Sequence, residues 1–97
     1  MVRFATPPAD QQAAEMGAIR VLHGFDIVAG TVEEPGAKGL VPELTMWSTV
    51  SDLTANRFLI NVVSDPLWYV IDLATLDLTS SRSKPLPSGG GFTPLAV

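Results

Sequence analysis

The chain has 97 residues, ten acidic against six basic, and a net charge of −4; that length suits one domain, of which folding buries roughly 65% of the surface. The basic residues Arg3, Arg20, Lys38, Arg57, Arg82 and Lys84 are scattered, so no basic footprint for nucleic acid exists. The absence of cysteine removes disulfides, thiolate metal sites and thiol nucleophiles together, and fits a reducing compartment.

Val2 to Ala5 reads as a short strand, broken by Thr6-Pro7-Pro8. Asp10 is a good N-cap for a helix over Gln11 to His23. At 100° per residue, Ala13, Ala14, Gly17, Ala18, Val21 and Leu22 form a wide apolar face of small side chains. Gln12, Glu15, Arg20 and His23 fall on the polar remainder, which Met16 and Ile19 interrupt. Gly24 is placed to end the helix with a positive φ.

Ala29 to Pro42 holds three glycines, two prolines and the pair Glu33-Glu34, and reads as a loop. Three strands follow. Glu43 to Ser51 alternates, with Leu44, Met46 and Val50 on one side and Thr45, Trp47 and Thr49 on the other. Asp52 to Asn56 supplies turn chemistry, and Arg57 to Val63 forms the second strand, with Phe58, Ile60 and Val62 sharing a face. Ser64-Asp65-Pro66 turns the chain again, because proline cannot donate to a central ladder. Leu67 to Leu73 is the third strand, with Leu67, Tyr69, Ile71 and Leu73 on one side.

The sequence therefore predicts an α+β fold, one main helix packed on a three- to four-stranded antiparallel sheet. That domain covers residues 1–78, and 79–97 form a Ser/Pro/Gly-rich tail ending in the apolar stretch Phe92 to Val97. No stretch approaches the roughly 20 apolar residues of a membrane span, and Met1-Val2-Arg3-Phe4 lacks the apolar run of a secretory signal. A cytoplasmic location is expected.

Catalytic chemistry is sparse. His23 reads as a structural or solvent-facing side chain near a helix end rather than a general base. Glu33-Glu34 has no companion ligand cluster, so no metal site is expected, and no cofactor. Trp47, Trp68 and Tyr69 could line a pocket, although aromatics of this kind more commonly sit in a core. The Asp-Leu pairs at Asp72-Leu73 and Asp77-Leu78 read as strand exit and turn. Gly89-Gly90-Gly91 lacks the Lys-Ser/Thr of a phosphate loop.

Several stretches, taken in order, resemble the C-terminal part of the choloylglycine hydrolase family, which includes bile salt hydrolases and penicillin V acylases. Arg3-Phe4 is similar to the family's Ser-Arg-Phe strand, with Val2 in place of serine. Asp10-Gln-Gln-Ala-Ala14 and Ile19-Arg-Val-Leu22 resemble its next helix. Phe25-Asp26-Ile27 and Gly30-Thr31-Val32 resemble the segment after it. Thr45-Met46-Trp47-Ser48 followed by Asp52-Leu53 resembles its Thr-Gln-Trp strand, with Met46 replacing glutamine. Ile71-Asp72-Leu73 and Leu76-Asp77-Leu78 resemble its closing strand and turn.

The resemblance spans about residues 3–80 and implies the N-terminal-nucleophile fold, with helices flanking two stacked antiparallel sheets. It implies cleavage of linear amide C–N bonds by an N-terminal cysteine whose own amine is the base. Arg3 falls on the family's active-site arginine, but Val2 has no group able to attack a carbonyl. The chain then corresponds to roughly the last third of such an enzyme, truncated, with Arg3 its one catalytic residue, orphaned and inactive alone. Apolar faces left without their neighbours imply an oligomer, with a dimer favoured, or a complementing protein chain. The alternatives are a freestanding interaction module, or one chain of a split amidase.

Overall fold

A computed structural model describes residues 6–87 and 92–96. Among these residues the fold is α+β, one α-helix with a two-stranded and a three-stranded antiparallel sheet. The chain forms two compact units that divide between Met46 and Trp47. The expected strand over Val2 to Ala5 lies outside the described residues.

In the first unit, α1 spans Gln11–His23. Its start is set as the sequence indicates: Asp10 is extended (φ −153°, ψ 178°) and its Oδ1 accepts from the Ala13 N–H at 2.7 Å. This satisfies one of the donors that a helix start leaves without a partner. The end differs from expectation. Gly24 has φ −72° and ψ −11°, ordinary right-handed geometry, and its N–H bonds to the carbonyl of Val21 at 3.2 Å. Glycine's access to positive φ is not used there.

The covered stripe of α1 is also rotated from the expected one. Glu15 and Ile19 are buried, Ala18 and Leu22 are partly covered, and Ala13 and Val21 are exposed. Ile19 offers far more apolar area than an alanine or glycine, so burying it outweighs the small-residue face. Glu15 accepts from the Gln11 side-chain amide at 3.3 Å, one turn back, and so has a polar partner.

Residues 29–42, expected to be a loop, instead contribute most of a β-hairpin. β1 spans Val32–Gly36 and β2 spans Gly39–Glu43, with Val32 opposite Glu43 and Gly36 opposite Gly39. Gly39 has φ +116°, the left-handed side that lets the Ala37-Lys38 turn close. At Gly36 the space is tight, since a Cβ there would stand 2.9 Å from Val41 Cγ1 and 3.1 Å from the Gly39 carbonyl oxygen, so a larger residue would make its neighbours shift. The prolines do not prevent the ladder. Pro35 faces Leu40 and Pro42 faces Glu33, pairs of the same parity, in a ribbon where both strands are edges. Just outside the ribbon, Ile27 and Thr45 are tied by two bonds. Thr45 N–H donates to Ile27 O at 3.0 Å, and Ile27 N–H donates to Thr45 Oγ1 at 2.8 Å.

The second unit holds the three-stranded meander, β3 (Trp47–Asp52), β4 (Arg57–Val62) and β5 (Tyr69–Asp72), in that spatial order. The turn between β3 and β4 is built by Asp52, whose Oδ1 accepts from the N–H groups of Thr54 and Ala55. Asn56 closes it at φ 54°, a region that asparagine tolerates better than most residues. β4 is the central strand, and Leu59 and Val62, on opposite faces, are both buried. After β5, Asp72 accepts from Ala74 N–H and caps a short 3-10 turn, Leu73–Thr75. Asp77 does the same for Thr79, through its N–H and its hydroxyl. Both Asp-Leu pairs thus mark turns, as read from the sequence. Residues 80–87 have no regular structure.

Among the described residues, the buried hydrophobics are Ile19, Leu59 and Val62. No described helix is long and apolar enough to cross a membrane.

Candidate functional site

The residues singled out for chemistry do not converge. Arg3 lies outside the described residues, as does Gly89-Gly90-Gly91. His23, the last residue of α1, and Asp26 beyond it are both exposed. A base facing bulk water without an orienting carboxylate has no means to activate a nucleophile. Glu33 and Glu34 are neighbours on β1 and therefore project to opposite sides of the ribbon. Among the described residues no group of three His, Asp or Glu side chains is arranged to hold a metal ion.

The densest polar cluster lies in the connection from β4 to β5. Asp65 is only 4% exposed. Its Oδ1 accepts from the Leu67 N–H at 3.0 Å, and its Oδ2 accepts from the Tyr69 hydroxyl. Its own N–H donates to the Val62 carbonyl at 3.1 Å. Asn61, on β4, reaches across the turn with its side-chain amide, which donates to the carbonyls of Asp65 and Leu67, each at 2.8 Å.

The electrostatics follow from these contacts. The Tyr69 hydroxyl, and then the Leu67 N–H, hold the Asp65 carboxyl below the usual carboxylate range against the opposing effect of burial. The same bond, reinforced by burial and the Asp65 charge, pushes the Tyr69 phenol up. Asp77 is lowered chiefly by the Thr79 hydroxyl, and then by the Thr79 N–H. Both oxygens of Asp65 are occupied by the turn, so this cluster locks the backbone and fixes the tyrosine ring. A visible signal was Asp65 two residues before Leu67, the spacing of an Asx turn. The partnership with Tyr69 had no comparable signal.

What the lock positions is a sheet face. The register puts Trp47 beside Val62, Thr49 beside Ile60 and Tyr69, and Ser51 beside Phe58 and Ile71. Residues opposite one another in a ladder share a face, so these eight side chains form one face without a charge, on which Val62 is buried and Phe58 and Ile60 are half-buried. Trp47 is 57% exposed and Tyr69 36% exposed. The expectation of core aromatics fails for Trp47 and Tyr69; Trp47 lies on β3, which among the described residues has a neighbouring strand on one flank only. Trp68, by contrast, is partly covered. The other face carries Asp52, Arg57 and Asp72.

This arrangement presents apolar area and hydrogen-bonding edges, and its carboxylate–phenol pair, Asp65 and Tyr69, is taken up in holding the turn. No family model, curated protein or solved structure matches the chain significantly.

Proposed function

We propose that the chain is a relative or C-terminal portion of a choloylglycine-hydrolase-like linear amide hydrolase that lacks the nucleophile, acts as an association module, and catalyses nothing alone. The observation that carries this reading is the uncharged, aromatic-bearing face of the three-stranded sheet beside a buried core of few residues. A face of that kind is energetically suited to a protein partner. The family half of the proposal is supported by the resemblance alone, carried by short segments in order between residues 3 and 80. The cysteine-free sequence supports both the missing chemistry and a cytoplasmic setting.

The test has two arms. The purified chain is incubated with penicillin V and with a glycine-conjugated bile salt, and its mass is measured by light scattering. No turnover and a self-associated species, a dimer first of all, are expected. Turnover by the chain alone refutes the proposal. Turnover only after mixing with a cysteine-bearing partner chain would make it one half of a split amidase instead.

A further inference from the structure

We propose that the Asp65–Pro66 peptide bond is a self-cleaving bond in acid, and that the β4–β5 turn holds it shut while the sheet is folded.

Of the eight prolines, only Pro66 follows an aspartate. That pairing has its own chemistry. A carboxylate oxygen of Asp65 reaches the residue's own backbone carbonyl carbon through a five-membered ring, and a carboxylate is a competent nucleophile when the attack is intramolecular. Attack forms a new C–O bond and gives a cyclic anhydride. The Pro66 nitrogen, more basic than that of an ordinary secondary amide, takes a proton from the medium as the C–N bond breaks and leaves with the bonding pair. Water then opens the anhydride. The net change is hydrolysis. One water is consumed, Asp65 gains a free α-carboxyl group, and Pro66 becomes an amino terminus.

Pro66 is exposed, so water and acid reach the bond. The attacking group is withheld. Asp65 is buried, with its Oδ1 held by the Leu67 N–H at 3.0 Å and its Oδ2 by the Tyr69 hydroxyl. Both donors stabilise the carboxylate before attack, and attack removes the charge they stabilise, so they raise the barrier. They also fix the side-chain torsion that must turn to bring an oxygen over the carbonyl plane. The carbonyl is fixed as well. The Asn61 amide donates to the Asp65 carbonyl on one side of the Pro66 nitrogen and to the Leu67 carbonyl on the other, each at 2.8 Å. The nitrogen must pyramidalise to depart, and this clamp resists that movement. Tyr69 is the titratable side chain that the turn sets against Asp65, and its phenol, pushed up, stays a neutral donor throughout the acid range.

The experiment incubates the full chain at the lowest pH at which its circular dichroism is native, with and without guanidinium chloride, and weighs the products by intact-mass spectrometry. The unfolded chain yields two fragments, 1–65 and 66–97. The folded chain yields them at least about a hundredfold more slowly, because each of the two hydrogen bonds to the carboxylate stands for about tenfold. Tyr69→Phe, which frees Oδ2, raises the folded-state rate by about tenfold and leaves the unfolded rate unchanged. Asn61→Leu, which opens the clamp, serves where Tyr69→Phe is not folded at that pH, and the same direction is expected. Asp65→Glu, whose ring would need six members, is not cut there even when unfolded. Equal rates with and without denaturant, faster scission in the folded chain, or no rise in the folded variant overturns the guarding turn. An unfolded chain that stays whole at Asp65–Pro66, or an Asp65→Glu chain cut at the wild-type rate, overturns the self-cleaving bond.

Discussion

Replacing Asn61 with leucine removes the amide that braces the β4–β5 turn and keeps nearly the same volume. Two hydrogen bonds disappear, to the carbonyls of Asp65 and Leu67 at 2.8 Å each. A typical bond contributes about 0.5–1.5 kcal/mol net, so the pair is worth about 1–3 kcal/mol. The carbonyl of Leu67 is near water, which replaces its lost donor, so the expected loss is about 1–2 kcal/mol. Urea denaturation followed by circular dichroism measures it. With a slope of about 1 kcal/mol per molar for a small domain, the midpoint falls by about 1–2 M. Asn61→Asp should be worse, because a carboxylate cannot donate to either carbonyl and would set a negative charge against both acceptors. If the leucine variant unfolds within 0.3 M of wild type, the amide is not bracing the turn and the reasoning is wrong.

Other expectations follow from the same geometry. Asp65 is held low, so its contribution is complete above the ordinary value of 3.8 and drains away as pH falls through the folded value. Tyr69 is raised, so its contribution is complete below 10.0 and is lost as pH climbs through its folded value. A denaturation series across pH should therefore show a plateau between those limits, and Asp65→Asn with Tyr69→Phe should flatten both shoulders. Asp10→Ala should cost about 1 kcal/mol through the lost cap, seen as reduced helicity on mild heating. Gly24→Ala should stabilise by about 0.4–1 kcal/mol because its backbone is already right-handed, whereas Gly39→Ala should destabilise the hairpin by about 1–2 kcal/mol. Thermal melts that reverse this order would contradict the assigned backbone angles.

Much of this architecture is legible in the chain. Asp10 announces the helix because an extended residue with a short acceptor has few better uses. The meander is legible because Asp52, Asn56 and Pro66 punctuate runs that alternate. The ribbon over residues 32–43 is not, because proline and glycine count as strand breakers only where a strand has neighbours on both sides. The stripe of α1 is misplaced by a rule that weighs residue type and ignores size, which favours Ala13 over Ile19. The lock at Asp65 escapes because its main partner, Tyr69, is brought into reach by the turn itself. The candidate face is half legible: period-two spacing groups Phe58, Ile60 and Val62, but only the register adds Trp47.

The placement of the two tryptophans limits what one spectroscopic probe can report. Trp47 and Trp68 both belong to the three-stranded unit, and α1 and the β1–β2 ribbon contain none. An isolated two-stranded ribbon is marginal in water, so it is suited to open before the sheet does. The ribbon has no indole of its own to report that earlier event. Amide exchange resolved by residue would separate the two, with the N–H groups of 32–43 surrendering deuterium protection first.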